Sequence, residues 1–251
     1  MSLTRPVILI TGGSRGIGAA TAVMAAERGH DVAITYVRNS EAAASVVRRC
    51  EDSGATAIAL RADVAVESEV VTAFRTTVDQ LGPLATFVNN AGTLHTASRL
   101  DEFSIERLNE VVAVNIVGAF IAAREAVRHL STRHGGQGGS IVNVSSAASY
   151  LGSPNEFIDY AATKGAIDTM TIGLAKEVAT EGIRVNAVRP GLIHTDIHDL
   201  SGVEDRVGKL VSGVPMQRAG EADEVAEVIL WLASSAASYL TGTLVNCSGG
   251  R

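Results

Sequence analysis

Apolar runs of strand length alternate along the chain with longer stretches whose apolar positions recur at helical spacing. The runs predict strands over residues 6–11, 31–36, 56–63, 84–90, 139–146, 183–190 and 242–247. The longer stretches predict helices over 17–28, 40–52, 67–80, 104–131, 158–180 and 222–234. Continuous apolar strands joined by helices imply a parallel sheet covered on both faces. Right-handed crossovers make such a sheet doubly wound, which places the chain in the α/β class with about seven strands. No linker, repeat or low-complexity tract interrupts the pattern, so residues 1–251 are expected to form one domain. The stretch 192–221 is the one long irregular connection, and in this fold class such a connection often covers a ligand site.

Composition narrows the picture. At 46% apolar residues over 251 positions, the chain can bury a sizeable core. Aromatics are only 4%, while glycine alone counts 25, which favours close helix–sheet packing over an aromatic-rich all-β core. Lys and Arg total 21 against 27 Asp and Glu, a formal charge of −6 that argues against a nucleic-acid surface. Cys50 and Cys247 give no disulfide framework, so a reducing compartment is the default. No run reaches the ~18 apolar residues of a membrane span. The longest candidate, 111–123, is broken by Asn115 and Gly118, and the run 7–10 is too short for a signal peptide. A cytoplasmic protein with a small-molecule substrate, and with no membrane or nucleic-acid partner, is expected.

The chemistry gathers at the strand ends. TGGSRGIG (11–18) puts Gly12, Gly16 and Gly18 between the first strand and the first helix. Missing side chains there let the backbone approach a pyrophosphate, whose charge the helix N-terminus favours. The spacing is G-x-x-x-G-x-G, so the turn alone is weak evidence. Asp63 ends the third strand, where it either accepts from an adenine amino group or caps the next helix; residue type alone favours the cap. NNAG (89–92) ends the fourth strand with residues that suit packing against a ring or ribose, or a simple turn. Ser145 and Ser146 end the fifth strand and point in opposite directions, so at most one faces a given site. Tyr160 and Lys164 stand i and i+4 and share a helix face. Chance supplies such a lysine for roughly one tyrosine in fifteen to twenty. Chance does not explain the joint placement of these motifs at the carboxyl edge of the sheet, where ligands bind.

In that order, TGGSRGIG, NNAG, Asn115 in VNIVG, Ser146, YAATK, RPGLIHT (189–195) and RAGEADEVAEVILWLAS…YLTG closely resemble the classical short-chain dehydrogenase/reductase family. The resemblance runs from Val7 to Gly250. It implies a Rossmann-like fold and hydride transfer between a carbonyl and a secondary alcohol. It implies an active site of Ser146, Tyr160 and Lys164, with Asn115 holding a water in a proton relay, and a homotetramer. Cofactor contacts are implied at Gly12, Ser14, Arg15, Gly16, Ile17 and Gly18 in the glycine turn. Further contacts are implied at Asp63, Val64, Asn90, Ala91 and Gly92, at Tyr160 and Lys164 themselves, and at Pro190, Gly191, Ile193 and Thr195. The C-terminal NCSGGR lacks the Asp that many relatives place before the glycines.

Physical chemistry supports those roles. A free tyrosine has a pKa near 10, and lowering it by about three units takes roughly 4 kcal/mol. An ammonium about 4 Å away supplies that order at an effective dielectric near 20. Lys164 is therefore expected to make Tyr160 acidic enough to exchange a proton with an alcohol or carbonyl. NAD enzymes of this fold usually close the second strand with an acid that binds the ribose 2′-OH. Tyr36 stands there instead, and Arg15 and Arg38 are placed to meet a 2′-phosphate, so NADP(H) is expected over NAD(H). Other readings are an NAD-dependent polyol or sugar dehydrogenase and a dinucleotide-binding regulator without turnover. The regulator would be expected to lose Tyr160 or Lys164. An epimerase of the extended branch would be longer, and an enoyl reductase would space its Tyr and Lys more widely. His194 and His198 are four apart but lack a third ligand, so they are read as loop groups and no metal is expected.

Overall fold

The computed structural model describes residues 5–195, 201–203 and 205–251. Seven strands form one parallel sheet: β1 (Val7–Ile10), β2 (Asp31–Tyr36), β3 (Ala57–Arg61), β4 (Leu84–Asn89), β5 (Gly139–Val144), β6 (Ile183–Pro190) and, last in the chain, β9 (Leu244–Cys247). Their spatial order is β3-β2-β1-β4-β5-β6-β9. Strand order therefore reverses between β1 and β4, and the crevice beyond their carboxyl ends is where such a sheet takes a ligand.

Helices α1 (Gly16–Glu27), α2 (Ser40–Asp52) and α9 (Ala222–Ala233) cover one face. Helices α3 (Glu67–Leu81), α5 (Ala119–Leu130) and α7 (Ile158–Val178) cover the other. Strand alternation divides β1 between the two layers. Ile8 and Ile10 pack with Ala22, Val225 and Ile229, while Val7 and Leu9 pack with Phe74, Phe87 and Ala126. Alanines on α1 let α9 approach closely.

The expected helix 104–131 is three pieces. Helix α4 (Ile105–Val112) passes into a π-helical stretch, Ala113–Gly118, before α5 begins. The wider turn coincides with Asn115, a buried amide whose bonds run outside the helix. π-Segments of this kind mark functional positions in many helices. Two predicted strands end two residues sooner than expected, β3 at Arg61 and β5 at Val144, which leaves Asp63, Ser145 and Ser146 in the turns beyond. The connection after β6 is pinned at its base by a two-stranded pair, β7 (Ile193–His194) with β8 (Gly220–Glu221). Two short helices, α6 (Ala148–Leu151) and α8 (Arg206–Leu210), were not legible in the sequence pattern. Among the described residues no helix is long and apolar enough to cross a membrane.

Candidate active site

The glycine turn leaves β1 at Thr11, and Gly12 takes the left-handed conformation, φ 65°. A Cβ on Gly12 would lie 3.1 Å from the Ala91 Cα, and one on Gly18 would overlap the Gly12 carbonyl oxygen. The turn is therefore folded against NNAG as tightly as backbone allows, with Ile17 and Gly18 opening α1. Asn90 closes the seam, donating through Nδ2 to the Thr11 and Gly12 carbonyls at 2.8 and 3.0 Å. Thr195 arrives from the far side, since a Cβ on Gly16 would lie 3.3 Å from its Cγ2. Pro190 ends β6, and the Gly191 N–H donates to the Cys247 carbonyl at 2.9 Å. Ile193 is buried in β7, and Ser14 is partly buried in the glycine turn. The glycine turn, NNAG and Thr195 thus lie against one another at the carboxyl ends of β1 and β4.

Tyr36 ends β2, with Arg38 two residues on, and Asp63 follows β3, where the Ala62 N–H donates to the Tyr36 carbonyl at 2.9 Å. Asp63 Oδ1 accepts from the Ala65 N–H at 2.9 Å, while Val66 is the residue at the α3 cap. The expected cap is therefore a turn bond just before the helix. Arg15 and Arg38 are exposed, and Tyr36 is partly buried. Val64 is buried, with its carbonyl only 2.8 Å from where a Gly118 Cβ would stand.

Tyr160 and Lys164 lie in the first two turns of α7, facing the end of β5. Lys164 is 5% exposed, and its Nζ donates to the Val144 carbonyl at 2.8 Å. The same Nζ stands 5.5 Å from the centroid of the Tyr160 ring. The two serines divide as alternation required. Ser145 is buried and donates to the Lys164 carbonyl at 3.2 Å, while Ser146 Oγ accepts from the Ala148 N–H at 3.1 Å and faces the Tyr160 phenol. Asn115 accepts from the Thr93 N–H and donates to the Thr93 carbonyl, both at 2.8 Å, and donates to Thr163 Oγ1 at 3.2 Å. Gly92 opens the space between them: a Cβ there would sit 3.4 Å from Asn115 Oδ1 and 3.6 Å from Lys164 Nζ.

The electrostatics correct one expectation. Desolvation raises the Tyr160 pKa above its ordinary value, opposed by the Ser146 hydrogen bond and the Arg206 charge. Burial also pushes Lys164 down to about 8, opposed by the carboxylate of Asp168. The ammonium is turned toward the Val144 carbonyl, so the protein's own groups keep the phenol protonated rather than acidic.

Sequence reasoning missed several supporting residues. Thr11 Oγ1 accepts from both the Asn90 and Ala91 N–H groups, at 3.0 and 3.1 Å. Its place at a strand end before glycine was the available signal. A Cβ on Gly13 would meet Ile34 Cγ2 at 2.5 Å, so that glycine serves packing. Among the described residues no cluster of His, Cys, Asp or Glu is arranged to hold a metal, and His194 lies 3.9 Å from Glu221. His198 lies outside the described residues.

The sequence model of the family described as "Enoyl-(Acyl carrier protein) reductase" matches residues 12–251. The chain is 50% identical to "Uncharacterized oxidoreductase YgfF" of Escherichia coli (strain K12), over 98% of this chain and 99% of that one. The chain belongs to the classical short-chain dehydrogenase/reductase family. Solved short-chain reductases share its fold. One is the 3-ketoacyl-(acyl-carrier-protein) reductase from Brucella melitensis complexed with NADH, with a TM-score of 0.89, 31% identity and 98% of each chain covered. Another is a short chain dehydrogenase from Burkholderia cenocepacia J2315 in complex with NADP, with a TM-score of 0.89, 35% identity and coverages of 98% and 97%. As a short-chain dehydrogenase/reductase, this chain is an oxidoreductase of CH–OH groups that uses a nicotinamide dinucleotide. The glycine turn fits such a ligand, because it leads straight into the N-terminus of α1, which favours the charge of a pyrophosphate.

Proposed function

We propose that the protein reduces a ketone to a secondary alcohol, and runs the reverse reaction, with NADP(H) as its cofactor. The observation that carries this reading is the gathering of Ser146, Tyr160 and a buried Lys164 at the end of β5, with the Lys164 Nζ 5.5 Å from the centroid of the Tyr160 ring. When bound, the nicotinamide supplies the hydride and, in its oxidised form, a positive charge beside the phenol.

In reduction, hydride reaches the carbonyl carbon and the Tyr160 hydroxyl gives its proton to the substrate oxygen, leaving a phenolate. Ser146 donates a hydrogen bond to that oxygen and holds it against Tyr160. Lys164, protonated below a pKa of about 8 and with its Nζ 5.5 Å from the ring centroid, would lend its charge to the phenolate as it forms. Asn115, locked by Thr93 and Thr163, stands beside Lys164 across Gly92, where a proton relay to solvent would pass. A phenol kept protonated by burial suits the donor role in reduction.

Gly12, Ser14, Arg15, Gly16, Ile17 and Gly18 would hold the pyrophosphate side of the cofactor. Asp63 and Val64 would meet the adenine, and Asn90, Ala91 and Gly92 the ribose. Pro190, Gly191, Ile193 and Thr195 would frame the nicotinamide. Arg15 and Arg38, exposed beside Tyr36 with no carboxylate closing β2, support NADP(H) over NAD(H). Residues 192–221 would form the substrate loop. Exposed Val112, Val117 and Phe120 between α4 and α5, with Ile172 on α7, support pairing of these helices in a homotetramer.

The test is NADPH oxidation with a panel of 3-oxoacyl thioesters, diketones and sugars' keto forms. The thioesters come first because the Brucella neighbour bears that name. Turnover of at least one ketone with NADPH is expected. Binding of NADPH without turnover of any carbonyl in a panel of these classes would favour the regulator reading.

A further inference from the structure

The residue before Tyr160 is as tightly held as Tyr160 itself. The Asp159 side chain is 4% exposed and pairs with Arg107 of α4, whose side chain is 9% exposed. Arg107 Nε donates to Asp159 Oδ2 at 2.7 Å, and Nη2 donates to Oδ1 at 3.0 Å, a bidentate fork. The same guanidinium donates through Nη1 to the Thr96 carbonyl at 2.7 Å and through Nη2 to the Glu156 carbonyl at 3.4 Å. The Phe103 ring lies 3.7 Å from its central carbon.

One side chain thus ties together three segments far apart in sequence. The first contains Thr96, shortly after the Thr93 that binds Asn115. The second contains Glu156, whose carboxylate pairs with Arg206 of α8 at 2.6 Å. The third is the opening turn of α7, with Tyr160. A buried ion pair is a weak stabiliser, because desolvation offsets most of its attraction and apolar residues would often do as well. What a planar fork supplies beyond stability is fixed geometry, which a lysine does not reproduce.

We propose that Arg107 is a positioning residue for Tyr160. By clamping Asp159 to the Thr96 and Glu156 carbonyls, it sets the first turn of α7 and hence the place of the phenol against Ser146. The proposal rests on the reading of Tyr160 as proton donor.

Two variants test it. Arg107→Lys keeps the charge and loses the fork. The double variant Arg107→Gln/Asp159→Asn removes both charges, so local net charge is unchanged and only geometry is perturbed. The first readout needs no substrate: the phenolate absorbance of Tyr160, taken as each enzyme minus its Tyr160→Phe counterpart, titrated with pH. The second is turnover of acetoacetyl-CoA with NADPH, alongside thermal unfolding and NADPH affinity.

In both variants the Tyr160 midpoint should rise by about half a pH unit or more, because the phenol is moved away from Ser146, which holds it down. Turnover should fall at least ~10-fold through kcat, as small misplacements of a reacting group do, while NADPH affinity stays within about twofold. Variants that unfold, or that lose only thermal stability while the midpoint and kcat stay put, would make the pair purely structural and overturn the proposal. Tyr160→Phe with undiminished turnover would refute the proton-donor reading instead, and with it the ground for this one.

Discussion

Thr11 and Asn90 grip each other where strand order reverses: the Thr11 hydroxyl accepts from the Asn90 N–H at 3.0 Å, and the Asn90 amide donates to the Thr11 carbonyl at 2.8 Å. The clasp joins β1 to β4 at the mouth of the cofactor crevice. Thr11→Val keeps the shape but leaves the Asn90 and Ala91 N–H groups without their acceptor. The expected cost is ~1–3 kcal/mol, the penalty for unsatisfied buried donors, read by chemical denaturation. Weaker NADPH binding should accompany it. A variant as stable as the parent would show that the clasp is incidental.

Cofactor choice should follow the two arginines. Each charged hydrogen bond to a 2′-phosphate contributes ~1.5–3 kcal/mol, so preference for NADPH over NADH in kcat/KM should exceed ~10-fold. Arg38→Ala should weaken NADPH and leave NADH nearly unchanged. Tyr36→Asp should go further, because a carboxylate there repels the phosphate and accepts from the ribose hydroxyls. Steady-state kinetics with both cofactors decide it. A parent enzyme that prefers NADH would mean the end of β2 has been misread.

Lys164 gives a pH signature in stability. Its pKa is about 8 in the folded protein against 10.5 for a free lysine. The unfolded chain therefore binds more protons between those values, and stability from this group rises with pH across that window. Lys164→Met removes the titration. The melting-temperature difference, variant minus parent, should shift in the parent's favour as pH goes from 7 to 10. A difference independent of pH would show that Lys164 folds without a proton penalty.

Assembly is read by light scattering. Phe120 and Val117 are each 48% exposed, an unusual display for helix residues beside a core. A homotetramer at micromolar concentration is expected. A monomeric mass would contradict the reading of those helices as subunit contacts.

Much of this was legible in the sequence because strands buried on both faces read as unbroken apolar runs. Val7–Ile10 and Val32–Ile34 are examples, and all seven predicted strands are present. The break at Asn115 was visible as an amide in an apolar stretch, but not the π-turn it creates, because helical periodicity does not register one extra residue per turn. Ser146 rather than Ser145 facing Tyr160 depends on where β5 ends, a boundary that residue type does not fix. The Arg107–Asp159 pair spans 52 positions, and nothing local marks either residue as buried. The direction of the Tyr160 shift was misjudged because charge was counted and desolvation was not.

The central claim is that Tyr160 delivers the proton. Steady-state turnover of a reduced ketone by Tyr160→Phe, at saturating NADPH, tests it most directly, since only the hydroxyl is removed. A fall in kcat of at least ~100-fold with NADPH affinity preserved is the predicted result. A Tyr160→Phe enzyme that turns over the same ketone at near-parent kcat would contradict it.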